Sequence, residues 1–120
     1  MPHALKTDNS DAVIRAKALW MRQQAMMMVY AKQLGHLGGD FSAIDVLATL
    51  YFGVLRYDPA QPDWAERDRF VMSKGHATGA LYTALCAAGY FPQDWLDTHM
   101  GHHSKLNGHP NRQYLPGVET

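Results

Sequence analysis

Seven consecutive residues carry most of the chemistry that this chain offers: Ser73-Lys74-Gly75-His76-Ala77-Thr78-Gly79. They lie between a short apolar run, Arg69-Phe70-Val71-Met72, and an alanine- and leucine-rich stretch from Ala80 to Tyr90 that reads as helix. A strand that turns through glycine into a helix start offers backbone N–H groups and the positive end of the helix dipole to an anion, most often a phosphate. Lys74 and His76 sit on that turn, and Gly75 lets the backbone approach a ligand while the imidazole points at it. The turn is therefore expected to face a diphosphate.

Two more histidines follow glycine in the same way, Gly35-His36 and Gly108-His109. An imidazole so placed can donate to phosphate or shuttle a proton near neutral pH. His102 also follows a glycine, so the pairing alone does not discriminate, and each histidine taken singly fits a structural or surface role as well. Four of the seven histidines, His99, His102, His103 and His109, fall in the last quarter. Structural zinc sites recruit thiolates, and the only cysteine, Cys86, lies within a helical pattern, so no metal ligands are assigned. The chain has neither of the glycine-rich nucleotide signatures and no nucleophile elbow.

The elements that must position these residues are mostly helices. Ser10 is placed to cap a helix with Asp11 in its first turn, running to about Gln33 on an inward pattern of Ile14, Ala18, Met21, Ala25, Met28 and Val29. The run Met26-Met27-Met28 is read as core filling rather than a soft metal site. Gly35-His36-Leu37-Gly38-Gly39-Asp40 is expected to break the helix and bend around something, with Gly39 at a close backbone approach. Ser42 and Asp45 suggest a capping box for a second, well-buried helix through Leu55. Tyr57 to Trp64 reads as an ordered loop, and Glu66-Arg67-Asp68-Arg69 as a solvated cluster of charges. Phe91-Pro92 is expected to end the third helix and Gln93 to Met100 to form a short fourth. Residues 101–120 lack any period and read as a long functional loop, and residues 1–9 as a loose leader.

The chain has 120 residues, enough for one small domain or part of a larger one. Eleven basic and eleven acidic side chains cancel, so bulk charge draws in neither nucleic acid nor an anionic membrane, and any anion needs a local site. One cysteine rules out an internal disulfide and suits a reducing compartment. No uninterrupted apolar run approaches the roughly 20 residues of a membrane span, and the first ten residues lack the apolar core of a signal peptide. A cytoplasmic protein is expected. A single convincing strand wants parallel neighbours that these residues do not supply, so 1–120 reads as one incomplete α/β domain.

Several segments, taken in order and spacing, resemble the start of transketolase, most closely the N-terminal subunit of split bacterial transketolases. They are Gly35-His36-Leu37-Gly38-Gly39-Asp40-Phe41-Ser42, Leu50-Tyr51-Phe52, Asp58-Pro59, Arg67 through Ala77, Gly108-His109-Pro110 and Pro116-Gly117-Val118-Glu119. The resemblance implies the N-terminal part of a doubly wound α/β module that binds the diphosphate of thiamine diphosphate, mostly helical over the residues present. It implies that His76, with Lys74, Gly75 and Gly39, lies at the cofactor, and that His36 and His109 line the cleft, bind the donor sugar's hydroxyls and assist proton transfer. The implied reaction moves a two-carbon ketol unit from a ketose phosphate to an aldose. It needs magnesium or calcium, whose ligands would lie beyond residue 120, and a C-terminal transketolase subunit or module in an oligomer of paired modules. The 120 residues alone are expected to be inactive. A non-catalytic interaction relative and a carboligase with another donor stand as alternatives. Leu37, where the family usually has proline, is the residue that hints at a changed donor.

Overall fold

The computed structural model describes residues 10–33, 37–98, 105–106 and 115–119. Three helices pack against one another pairwise: α1 (Asp11–Lys32), α2 (Leu37–Thr49) and α3 (Thr78–Ala88). A π-helical turn, Leu50–Val54, extends α2, and a 3-10 helix, Gln93–Thr98, packs on α1 and α3.

α1 begins as its sequence dictates: the Ser10 hydroxyl accepts the Val13 N–H at 3.3 Å, and Asp11 faces the positive end of the dipole. The helix buries Ala18, Met21, Ala25 and Met28. Met26 and Met27, expected in the core, are instead 53% and 62% exposed. Three consecutive helical residues are spread over about 200° of arc, so one inward face cannot hold them all.

α2 starts earlier than the sequence suggests, with Leu37, Gly38, Gly39 and Asp40 already helical rather than forming a bend. Leu37 stands at its first described position, where proline is equally at home, so this departure from the family pattern leaves the helix start intact. The expected capping box does not form, because Ser42 and Asp45 fall inside the helix. The Ser42 hydroxyl donates to Gly39 O at 2.9 Å, and Asp45 pairs with Arg22 on α1 through two hydrogen bonds of 2.9 and 2.7 Å. That pairing holds the Asp45 carboxyl below its ordinary range. Leu37–Val54 is long and apolar enough to cross a membrane by length and composition alone. It packs as a core element, turning Ile44, Leu47, Ala48, Tyr51 and Phe52 inward against α1 and α3.

At the end of α2 the hydrogen-bond register slips by one residue, and the Leu55 N–H reaches Leu50 O at 2.7 Å. An α-turn would have used Tyr51 O. The freed carbonyl is taken by the buried Tyr57 hydroxyl, which donates to it at 2.7 Å. Tyr57→Phe leaves that buried carbonyl without this donor and is expected to cost about 1–2 kcal/mol. Urea unfolding that shows no loss would mean water or a neighbour replaces the bond.

Residues 69–72 do not form the expected strand, and no strand occurs among the described residues. A strand exists only through its ladder partners, and among the described residues no ladder forms with this segment. The segment runs as coil over the outside of the core, with Val71 59% exposed and Phe70 and Met72 packed against it, Phe70 edge-on to Tyr51 at 6.1 Å between ring centroids. α3 is the central element: nine of its eleven residues are buried. It ends at Gly89 (φ 102°), not at Phe91-Pro92, with Tyr90 N–H and Gly89 N–H turning back to Leu85 O in a Schellman-type cap. Cys86 is half-buried, and desolvation pushes its thiol up, as befits an inert side chain.

The charged segment before residue 69 also departs from expectation. Arg67 is not solvated: its Nη2 donates to both carboxylate oxygens of Glu119 at 3.0 and 3.1 Å, and its Nη1 donates to Trp64 O at 2.8 Å. Only 14% and 16% of the two side chains remain exposed, so this bond across 52 residues anchors the Leu115–Glu119 turn to the core. Gly117 in that turn has φ +89°, and a Cβ there would lie 2.8 Å from Leu85 Cδ2 and 3.0 Å from Tyr90 Cδ1. Only glycine meets both demands without strain.

Candidate functional site

The first turns of α2 and α3 meet, and the Lys74–Ala77 turn leads into the second of them. Ala77 N–H donates to Lys74 O at 3.0 Å and Gly75 N–H to Ser73 O at 2.9 Å, which folds the turn upon itself. The Gly75 N–H is thus spent within the turn rather than offered to a ligand.

Four of the sequence-predicted residues gather here. His76 is exposed, and its ring lies on the backbone of Gly39: a Cβ at residue 39 would be 3.2 Å from His76 Cδ2 and 3.3 Å from Nε2. Lys74 is exposed and its Nζ donates to the Ser42 hydroxyl on α2 at 2.6 Å. Ser42 is therefore a member of the site that its sequence position, read as a helix cap, did not reveal. His36 and His109 lie outside the described residues, as do His99, His102 and His103 and most of the 101–120 segment.

The helix terminus itself behaves differently from expectation. Asp40, 2% exposed, turns its carboxylate from α2 onto the start of α3, where Oδ1 accepts the Ala80 N–H at 3.1 Å. Gly79 makes room for it, since a Cβ there would sit 2.7 Å from the Asp40 Cγ. The anion at the positive end of α3 is thus the protein's own. An acid in the first turn of a helix is ordinarily assigned to its own helix's dipole, so nothing around Asp40 in the sequence hints that it serves the next one.

The turn presents a primary ammonium and an imidazole on its exposed side, with Gly39 against the imidazole ring. Two such donors fit the oxygens of a diphosphate. Among the described residues no three histidine, cysteine, aspartate or glutamate side chains gather as metal ligands.

Residues 14–120 match the family model described as "Transketolase, thiamine diphosphate binding domain". The chain belongs to the transketolase family. It is 41% identical over 118 residues to an apulose-4-phosphate transketolase subunit of Actinobacillus succinogenes, covering 98% of this chain and 42% of that one. It is 45% identical over 86 residues to a 6-deoxy-6-sulfo-D-fructose transketolase subunit of a Clostridium species, covering 72% and 31% of the two chains. Transketolase from Leishmania mexicana superposes with a TM-score of 0.84 at 37% identity, over 89% of this chain and 16% of that one. The chain thus spans about two fifths of the length of the apulose relative. The helical architecture described above is that of the N-terminal part of the transketolase cofactor-binding module.

Proposed function

We propose that this chain is the N-terminal part of a thiamine diphosphate-dependent transketolase subunit that moves a two-carbon ketol unit from a ketose phosphate to an aldose. The observation that carries the reading is the convergence of Lys74, His76 and Gly39 where α2 meets α3, within a thiamine diphosphate binding domain. When bound, the cofactor supplies the carbon nucleophile on which ketol transfer depends. Lys74 and His76 hold diphosphate oxygens, while Gly39 and Gly75 keep the backbone low enough for the ligand to come close. His36 and His109 are assigned to the sugar hydroxyls and to proton transfer.

The apulose and sulfofructose relatives both carry ketose names, which supports a ketose donor here, and both are named as subunits, which supports a complementary C-terminal partner in a heteromeric assembly. Magnesium or calcium, the cytoplasm and paired modules complete the proposal. A multiply charged ligand held by two side chains without its cation binds weakly, so in this reading the 120 residues alone have no activity.

Calorimetric titration tests this directly. The complete subunit with its partner is expected to bind thiamine diphosphate in the presence of magnesium and to transfer ketol units, whereas residues 1–120 alone bind at least about a hundredfold more weakly. Tight binding by the isolated 120 residues would contradict the assignment of metal and partner contacts elsewhere. Binding without ketol transfer by the complete assembly would favour a non-catalytic relative.

A further inference from the structure

α2 and α3 each carry one side of the candidate site. Gly39, on which the His76 ring rests, is the residue before Asp40, and His76 is two residues before the first residue of α3. A carboxylate only 2% exposed is costly unless it is compensated. The unsatisfied N–H groups and positive dipole of α3 compensate it, and the Ala80 N–H to Asp40 bond is the visible result. Gly79 permits the contact by lacking a side chain. On the outer side, the Lys74 to Ser42 bond joins the same two segments again.

We infer that Asp40 is a positioning residue for the diphosphate site: by clamping the first turn of α2 to the first turn of α3, it fixes where His76 and Lys74 stand relative to Gly39. The terminus of α3 is already supplied with an anion, so the ligand is held by side chains rather than by the helix dipole. Those side chains stand on the exposed side of the turn, and they face Gly39 and Ser42 only while the two helix starts are held together. The inference rests on the reading that Lys74 and His76 face the diphosphate.

The test uses the complete subunit with its partner and reads the dissociation constant of thiamine diphosphate by calorimetry, alongside the thermal midpoint without cofactor. Asp40→Ala is expected to weaken binding about tenfold or more, the loss that accompanies one misplaced charge-assisted contact. Asp40→Asn keeps an acceptor for the Ala80 N–H and is expected to stay within about threefold of the parent protein. Gly79→Ala should reproduce the Asp40→Ala loss, and the double variant should bind no more weakly than the worse single one, because both break one contact. Leu47→Ala, in the core of the same helix, serves as the control for destabilisation alone. Should Asp40→Ala fail to fold, Asp40→Ser, whose hydroxyl is too short to reach, carries the same expectation.

The inference is overturned if Asp40→Ala binds like the parent protein, or if Leu47→Ala at an equal loss of thermal midpoint weakens binding as much. His76→Ala and Lys74→Ala separate the two levels. If neither weakens binding, the site reading falls and takes this inference with it. If either does while Asp40→Ala does not, this inference falls alone.

Discussion

Arg67→Met is expected to lower the unfolding free energy by about 2–3 kcal/mol, less than the cost of breaking a fully buried pair because part of each side chain still meets water. The variant keeps the aliphatic volume and removes three hydrogen bonds at once, two to Glu119 and one to Trp64 O. Among the described residues Glu119 would then keep Arg69 as its ion-pair partner, whose Nε stands 3.9 Å away. Glu119→Gln retains an acceptor for the guanidinium and should cost about half as much. Replacing both by methionine should recover part of the loss, since no charge is then left without a partner. Urea unfolding of the three variants measures this. If Arg67→Met matched the parent protein, the pair would be an ornament of the surface and the Leu115–Glu119 turn would be held by Leu115, Val118 and Gly117 alone.

The second large effect is functional and should leave stability untouched. His76→Ala in the complete subunit is expected to weaken thiamine diphosphate binding about 10- to 100-fold, the range for losing one hydrogen bond to a charged partner. The ring is exposed and lies outside the core, so the thermal midpoint without cofactor should stay within about 1 °C of the parent value. His36→Ala and His109→Ala, assigned to the sugar, should instead reduce kcat while changing cofactor affinity by less than about threefold. Equal affinity in His76→Ala would remove that residue from the cofactor's contacts. A falling midpoint would show that its contact with Gly39 is structural.

Local features of the fold are legible in the sequence because local physics decides them. Ser10, Asp11 and the three-and-four spacing place α1 almost to the residue, and Phe91-Pro92 marks the end of α3 and the start of the 3-10 helix to within a few positions. Non-local features are not legible in this way. Arg67 and Glu119 lie 52 residues apart, and Asp40 and Ala80 lie 40 apart; nothing in either neighbourhood announces its partner. The strand expected over 69–72 is absent for a related reason: its composition suits a sheet, and a sheet is made by neighbours. The two glycines at 38 and 39 look like a helix breaker because glycine is costly inside a helix, yet in a first turn the missing side chain at residue 39 is what admits the His76 ring. The turn from Lys74 to His76 reads in sequence as a place where backbone donors meet an anion; in the folded chain the Gly75 and Ala77 N–H groups are spent within the turn, and the Lys74 and His76 side chains are exposed.

The slipped turn at Leu50–Val54 stores one residue more than an α-helix needs over the same rise. Upstream of it Ile44, Leu47 and Ala48 face the core, and downstream Tyr57 plugs the carbonyl that the slip releases. The segment therefore works as an expansion joint. A lineage that gains or loses a single residue here can absorb the change by converting between the two kinds of turn, leaving the buried face ahead of it and the loop behind it in place, with residue 57 changing in step as the carbonyl is released or reclaimed.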